Sequence, residues 1–296
     1  MDEVRAFHEA LLAPLSAQEA DAAAALGGLL PDWQAPRLYH DLSDAFIRQQ
    51  TAMQGMFAPE VCVQINRLFV VQQLLKLDGT LAERPLPPEI LALYPAARQR
   101  LLHFLQHGDV SEYFYPHENF VKDVRFVAGM TVPAGAMILD LRSYIGWKPS
   151  LTLLQKNPLP VFMRFAGSCY RRPWLRAHIE MRYRDEFTPD GLEDFYRRTA
   201  ALLRAQPQLQ GIVASSWFYD PMLESVSPRL KHLWQVPMAR GAFVVRGYSG
   251  AYDVEMATKT SATRRRLYEA GVYQPSCTLL VWPRKALMAW AGKASL

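Results

Sequence analysis

The chain has 296 residues, of which 50% are hydrophobic, 21% charged and 11% aromatic, and it carries a net charge of +5. That composition excludes a mainly disordered chain, and the length buries enough surface for one large core or two smaller ones without a disulfide or metal staple. Cys62, Cys169 and Cys277 stand isolated, in no C-x-x-C spacing, and Met1-Asp2-Glu3 lacks the basic start of a secretory leader. Apolar runs such as Leu68–Val71 fall far short of the ~20 residues a membrane span needs. A cytoplasmic protein with no membrane partner is expected.

The total charge hides an asymmetry. The first 60 residues hold nine acids against three Arg or Lys, whereas Val226–Leu296 holds eleven Arg or Lys against three acids. A basic C-terminal stretch favours an anionic ligand or an acidic partner, or packs on the acidic N-terminal one.

The first 110 residues read as a helical region. Over Ala58–Leu77, Val61, Ile65, Leu68, Phe69, Leu74 and Leu75 recur at helical spacing. Arg84-Pro85-Leu86-Pro87-Pro88 breaks the chain, and a short helix over Pro88–His107 ends at Gly108, suited to a left-handed C′ position. Residues 111–296 read as a mixed α/β domain, with short strands at Val124–Ala128, Met137–Tyr144, Pro160–Gly167 and Trp174–Arg184. Met130–Gly135 reads as a turn. In the last of those strands Leu175, Ala177, Ile179, Met181 and Tyr183 alternate with Arg176, His178, Glu180, Arg182 and Arg184, giving one apolar and one charged face.

Next comes a helix capped by Thr188 and opened by Pro189, with a stripe of Leu192, Phe195, Tyr196, Thr199, Leu202 and Leu203. Gly211–Phe218 reads as a buried strand, Met222–Trp234 as a helix interrupted at Pro228, and Gly241–Gly247 as a strand. A short helix over Thr263–Ala270 closes at Gly271, and Ser276–Trp282 is a last strand before a terminal helix. The whole is therefore an α+β chain, a helical N-terminal region followed by a mixed β-sheet domain flanked by helices.

This order of elements from Val121 onward resembles the GNAT acyltransferase fold, and Ser261-Ala-Thr-Arg-Arg-Arg-Leu-Tyr-Glu-Ala-Gly271 is similar to the late helix of that family. The resemblance covers about 170 residues. It implies a small-molecule acyltransferase that moves an acyl group from acyl-CoA onto an amine or hydroxyl, the pyrophosphate lying on the helix after the fourth strand. The matching stretch, Arg184-Asp-Glu-Phe-Thr-Pro-Asp-Gly191, lacks the family's Gly-x-Gly loop and carries three acids and a proline. Under this resemblance the catalytic candidates are His178, Glu180 and Tyr219, a Tyr suiting a general acid and a carboxylate a base. Arg182, Ser216 and Trp217 are the substrate-binding candidates, with Ser215 and Asp220 beside them. Arg264, Arg265 and Arg266 would take a phosphate by guanidinium fork geometry.

Other chemistries compete on particular residues. His178-x-Glu180 with distal His232 resembles the ligand order of non-haem iron oxygenases. A non-catalytic protein whose basic half docks an acidic or nucleic-acid partner is the second class, although Arg171-Arg172-Pro-Trp-Leu-Arg176 comes with no helix-turn-helix, RNP or zinc spacing. Tyr113-Phe-Tyr-Pro-His117-Glu118 is an aromatic and polar knot able to line a pocket, and Cys169 follows a strand end.

Overall fold

The computed structural model describes residues 1–30, 42–145, 155–169, 173–247 and 249–293, and the chain divides into two compact units, Met1–Pro133 and Ala134–Leu296. The fold is α+β, as expected. Arg171 and Arg172 fall outside the described residues, as does the side chain of Cys169.

In the first unit, helices α1 (Asp2–Leu12), α2 (Ala17–Gly27), α3 (Asp44–Met56), α6 (Tyr94–His107) and α7 (Glu118–Val127) each contact α4 (Pro59–Ala82), and α5 (Pro88–Leu91) follows the proline break. Helix α4 buries residues on every side, Cys62, Ile65, Phe69, Val70 and Leu74 among them, as a helix central to a bundle does. Its one buried asparagine is fully matched: Asn66 and Gln50 exchange amide hydrogen bonds at 2.7 and 3.2 Å, and Asn66 also donates to the Tyr113 carbonyl at 3.0 Å.

The structure corrects the reading at several places in this unit. The strand expected at Val124–Ala128 lies in α7, because Phe120, Val121, Val124 and Val127 recur at helical spacing and tertiary burial outweighs β-branching. Gly108 is extended, with φ −75° and ψ 161°, so it is not a left-handed cap. What it supplies is room, since a Cβ there would stand 2.5 Å from the Phe104 ring. Thr131–Pro133, expected in a turn, is the short strand β1 that ends the unit.

In the second unit, strands β2 (Met137–Ser143), β3 (Trp174–Ile179), β4 (Gly211–Ser216), β5 (Phe243–Arg246) and β6 (Thr278–Pro283) lie in the order β2-β3-β4-β6-β5. Strands β3 and β4 run parallel, joined through helix α9 (Pro189–Ala205), while the other pairs are antiparallel. One face, formed by Trp174, Val213, Val281, Phe243 and Val245, packs under Val161 and Phe165 of helix α8 (Leu159–Cys169). On the opposite face Trp282 meets Tyr196 of α9 and Trp290 of the terminal helix, at ring separations of 5.0 and 5.6 Å. The edge strand β5 is blunted by Asn157, whose side-chain amide both donates to the Arg246 carbonyl (3.0 Å) and accepts from its N–H (2.8 Å).

Helix α8 replaces the strand expected at Pro160–Gly167. Its proline sits in the first turn, where a missing N–H costs nothing, and Val161 and Phe165 share a face four residues apart. The strand expected to reach Arg184 stops at Ile179 and gives way to a 3₁₀ turn over Met181–Glu186. Glu180 ends it by folding back to accept from the Arg182 N–H. Strand β4 likewise stops at Ser216, whose hydroxyl accepts from the Phe218 N–H (3.2 Å) and opens a 3₁₀ turn over Trp217–Tyr219.

The remaining elements are α10 (Leu223–Val226), a 3₁₀ turn at Pro228–Leu230, α11 (His232–Ala239), α12 (Ala251–Thr258), α13 (Ala262–Glu269) and α14 (Arg284–Lys293). Among them, the helix expected over Met222–Trp234 is divided at Pro228 and runs on to Ala239, and the helix at Ala251–Thr258 has no counterpart among the expected elements. Gly271 takes φ +69° after α13, the C′ role expected of it. The end of α9 is closed from a distance: the Arg284 guanidinium donates to the carbonyls of Leu203, Gln206 (3.2 Å) and Leu209 (3.4 Å). Arg284→Ala strands these acceptors, so urea unfolding should show a loss of about 2 kcal/mol with an unchanged m-value.

Candidate active site

The parallel pair β3–β4 is in register over Leu175↔Ile212 to Ala177↔Ala214, and both strands run two residues further. Beyond that point β3 stays registered with β2 as far as Ile179↔Met137, and β4 with β6 as far as Ser216↔Thr278. Because side chains alternate faces, His178 on β3 and Ser215 on β4 lie on the same face, the one that also carries Trp174, Arg176 and Val213. The carboxyl ends of parallel strands are where open sheets of this kind present chemistry.

Strand β2 completes the arrangement. Asp140 opposes Arg176, which makes it the diagonal neighbour of His178 on the same face. Asp140 is buried, and its Oδ2 lies 2.9 Å from His178 Nε2 while the imidazole keeps 11% of its surface exposed. The register then shifts between Asp140 and Ser143, a bulge that sets Ser143 opposite Trp174. Arg176 Nε donates to Ser143 Oγ at 2.8 Å and Nη2 to the Tyr144 carbonyl at 3.0 Å, fixing the guanidinium along the bulge. On the other flank Ser215 Oγ lies 3.0 Å from Cys277 Sγ. Burial pushes the Cys277 thiol up, the Ser215 hydrogen bond opposes that, and the charges of Asp253 and Arg176 raise and lower it respectively.

The candidates read from the sequence are dispersed around this centre. His178 lies in it. Glu180 is buried and engaged by Arg182 at both oxygens, the backbone N–H on Oε1 (3.1 Å) and Nη2 on Oε2 (2.9 Å). Ser216 caps the turn after β4. Trp217 is packed against Phe218 at 4.0 Å, with the Arg264 guanidinium 4.7 Å over its ring. Asp220 is buried and binds backbone, accepting from the N–H groups of Met222 and Ser276 at 3.0 Å each.

Arg264, Arg265 and Arg266 do not converge, since successive helical side chains diverge by about 100°. Arg264 is buried and donates to the Ala257 carbonyl and to Ser227 Oγ (3.2 Å), while Arg265 donates to the Lys259 carbonyl (3.1 Å) and Arg266 is exposed. His232 bonds through Nδ1 to the Arg229 carbonyl (2.9 Å). Among the described residues no three His, Cys, Asp or Glu side chains are placed to hold a metal ion, which overturns the iron-ligand order. Also among the described residues, no helix is long and apolar enough to cross a membrane.

Sequence reasoning missed Asp140 and Cys277. The available signal for Asp140 was a single acid within Met137-Ile-Leu-Asp-Leu, an otherwise apolar strand, where a buried carboxylate needs a partner. The aromatic knot does line a hollow: Tyr113 and His117, with Phe104, Asp109 and Glu112, border a cavity of about 340 Å³ in the first unit.

Tyr219 is buried beside Tyr196, and burial pushes both phenols up. Burial does the same to Tyr273, with Asp220 adding and Arg264 opposing. Folded-state values above the unfolded ~10 leave the native state intact below pH 10. Above it the unfolded chain releases phenolic protons first, and stability falls by about 1.4 kcal/mol per pH unit for each tyrosine. Urea midpoints measured from pH 8 to 11 should therefore drop steeply above pH 10, and Tyr219→Phe should flatten that slope by about a third.

No family model and no curated protein matches the chain. Two solved structures are similar to it. One is an acyltransferase in complex with CoA and 10C-teicoplanin, 11% identical with a TM-score of 0.47, the match covering 94% of this chain and 99% of that one. The other is an acyltransferase in complex with decanoyl-CoA and teicoplanin, 13% identical with a TM-score of 0.40, covering 94% and 98%.

Proposed function

We propose that the second unit is a GNAT-like acyltransferase that moves an acyl group from a thioester onto an amine or hydroxyl of a small molecule, with His178 as general base and Asp140 holding it. The observation that carries this reading is the His178–Asp140 pair, one position beyond the last registered pair of the parallel strands. The strand order supports the same layout: α9 joins parallel β3 to β4, and β6 is inserted between β4 and β5. Asp140 accepts from Nε2 and holds the imidazole, which takes the acceptor's proton as the base. The acceptor then attacks the thioester carbonyl, the new C–N or C–O bond forms as the C–S bond breaks, and the proton passes to the departing sulfur. Glu180 and Arg182 act as positioning residues that end β3 where His178 stands. Ser216 does the same for β4, and the Arg264–Trp217 stack braces the turn beyond it.

A polyanion-binding role has less to stand on, because Arg264 and Arg284 are spent on internal bonds. The purified chain offered acyl thioesters and a panel of amines and alcohols should release thiol and give an acylated product by mass. Asp140→Asn should lower kcat/KM about a hundredfold, by loosening the imidazole and removing its counter-charge. Thiol release at background with every pair, or an unaltered Asp140→Asn enzyme, overturns the reading.

A further inference from the structure

Resting on the acyl-transfer reading, we infer that the donor is a pantetheine-type thioester recognised by its arm and acyl chain, with no seat for a nucleotide diphosphate at the start of α9. The stretch the resemblance matches to that seat, Arg184–Gly191, leads into α9, the helix joining the parallel strands β3 and β4, and there the seat would be the first helical turn, where free N–H groups and the positive helix end attract an anion. Here the chain itself fills the turn. Thr188 Oγ1 accepts the Gly191 N–H at 3.1 Å, Pro189 has no N–H, and the Leu192 N–H is bonded to the Thr188 carbonyl at 2.9 Å. The Glu186 carbonyl oxygen folds so close that a Cβ on residue 191 would stand 1.9 Å from it, which shuts the space a phosphate oxygen would enter.

Charge argues the same way. Asp190 lies in the first turn, so the positive helix end already faces a carboxylate of the chain's own. Arg264 does not compensate, since its guanidinium is buried under carbonyl and hydroxyl contacts and over the Trp217 ring. A diphosphate at this turn would meet Asp190 and the Glu186 carbonyl oxygen where the resemblance places glycine N–H groups. A neutral pantetheine arm meets no such opposition.

Calorimetric titration of the full chain, without acceptor, tests this with four probes: an acyl-pantetheine, the same acyl group on CoA, 3′-phosphoadenosine diphosphate, and the same acyl group on a purified acyl carrier protein. The expected result is a Kd for acyl-pantetheine within about threefold of that for acyl-CoA, and no competition from the nucleotide. A carrier-borne donor binding about tenfold more tightly than the free arm assigns the source to a carrier protein, and equal affinity assigns it to a free thioester. Acyl-CoA binding at least about tenfold more tightly than acyl-pantetheine, with the advantage lost near 0.5 M salt, overturns the inference. So does failure of every thioester to bind. Acyl-pantetheine that binds but is never turned over leaves the inference standing and removes the acyl-transfer reading, whereas turnover of acyl-CoA alone does the reverse.

Discussion

His178→Gln should lower kcat/KM for acyl transfer about a thousandfold and leave the unfolding midpoint near that of the parent chain. A positioned general base contributes about 10²–10⁴ to rate, and the loss here lies toward the middle because the rest of the site is retained. Glutamine keeps an N–H for Asp140 Oδ2, now 2.9 Å from the imidazole, so the buried carboxylate retains a donor and the fold is spared. It cannot take up a proton, so kcat should fall with KM little changed, and the rising limb of the pH–rate profile should vanish. A merely structural histidine would not move that limb. Loss of less than about threefold in His178→Gln would remove the base assignment.

How far this centre could be read from the sequence follows from which contacts are local. The α9 cap at Thr188, its opening Pro189 and the Gly271 terminus rest on neighbours in the chain, and each appears where the residue types put it. The alternation over Trp174–Ile179 likewise set His178 on the charged face of a strand. The partner of that histidine is another matter. Asp140 lies 38 residues away and reaches it only through the β2–β3 register and a bulge, neither of which leaves a local signature. Helices α7 and α8 were hidden for a related reason: Val124–Val127 and Val161–Phe162 are β-favouring runs whose helical faces are chosen by what they pack against. Arg264–Arg266 shows the converse. A run of like charges read as one patch is divided by the helix into a buried stacking residue and two outward ones.

Gly211→Ala should destabilise the second unit by about 3–5 kcal/mol, enough to deplete folded chain at 37 °C. Gly211 opens β4 opposite Pro283, at the junction where β3, β4 and β6 meet α14. Its φ of +144° is one that side-chain-bearing residues rarely adopt, and a Cβ would stand 2.3 Å from the Trp282 carbonyl oxygen, 2.7 Å from the Arg284 N–H nitrogen and 2.9 Å from the Trp174 ring. None of these is the free end of a flexible chain. Two are backbone atoms, one in the interior strand β6 and one at the helix start, and the third is a ring buried in the core, so relief requires moving β6 or tilting Trp174. Moving Arg284 would also strain its N–H bond to the Gln210 carbonyl (2.7 Å) and the guanidinium bonds that close α9, so the damage spreads to the helix between the parallel strands. Gly292→Ala in α14 serves as the contrast, because nothing stands within 4 Å of a Cβ there and alanine favours the helix by up to about 1 kcal/mol. Urea denaturation followed by tryptophan fluorescence checks both. A Gly211→Ala midpoint within error of the parent would show that β6 and the Trp174 ring can yield, and would remove the argument that the start of β4 is closed to a side chain.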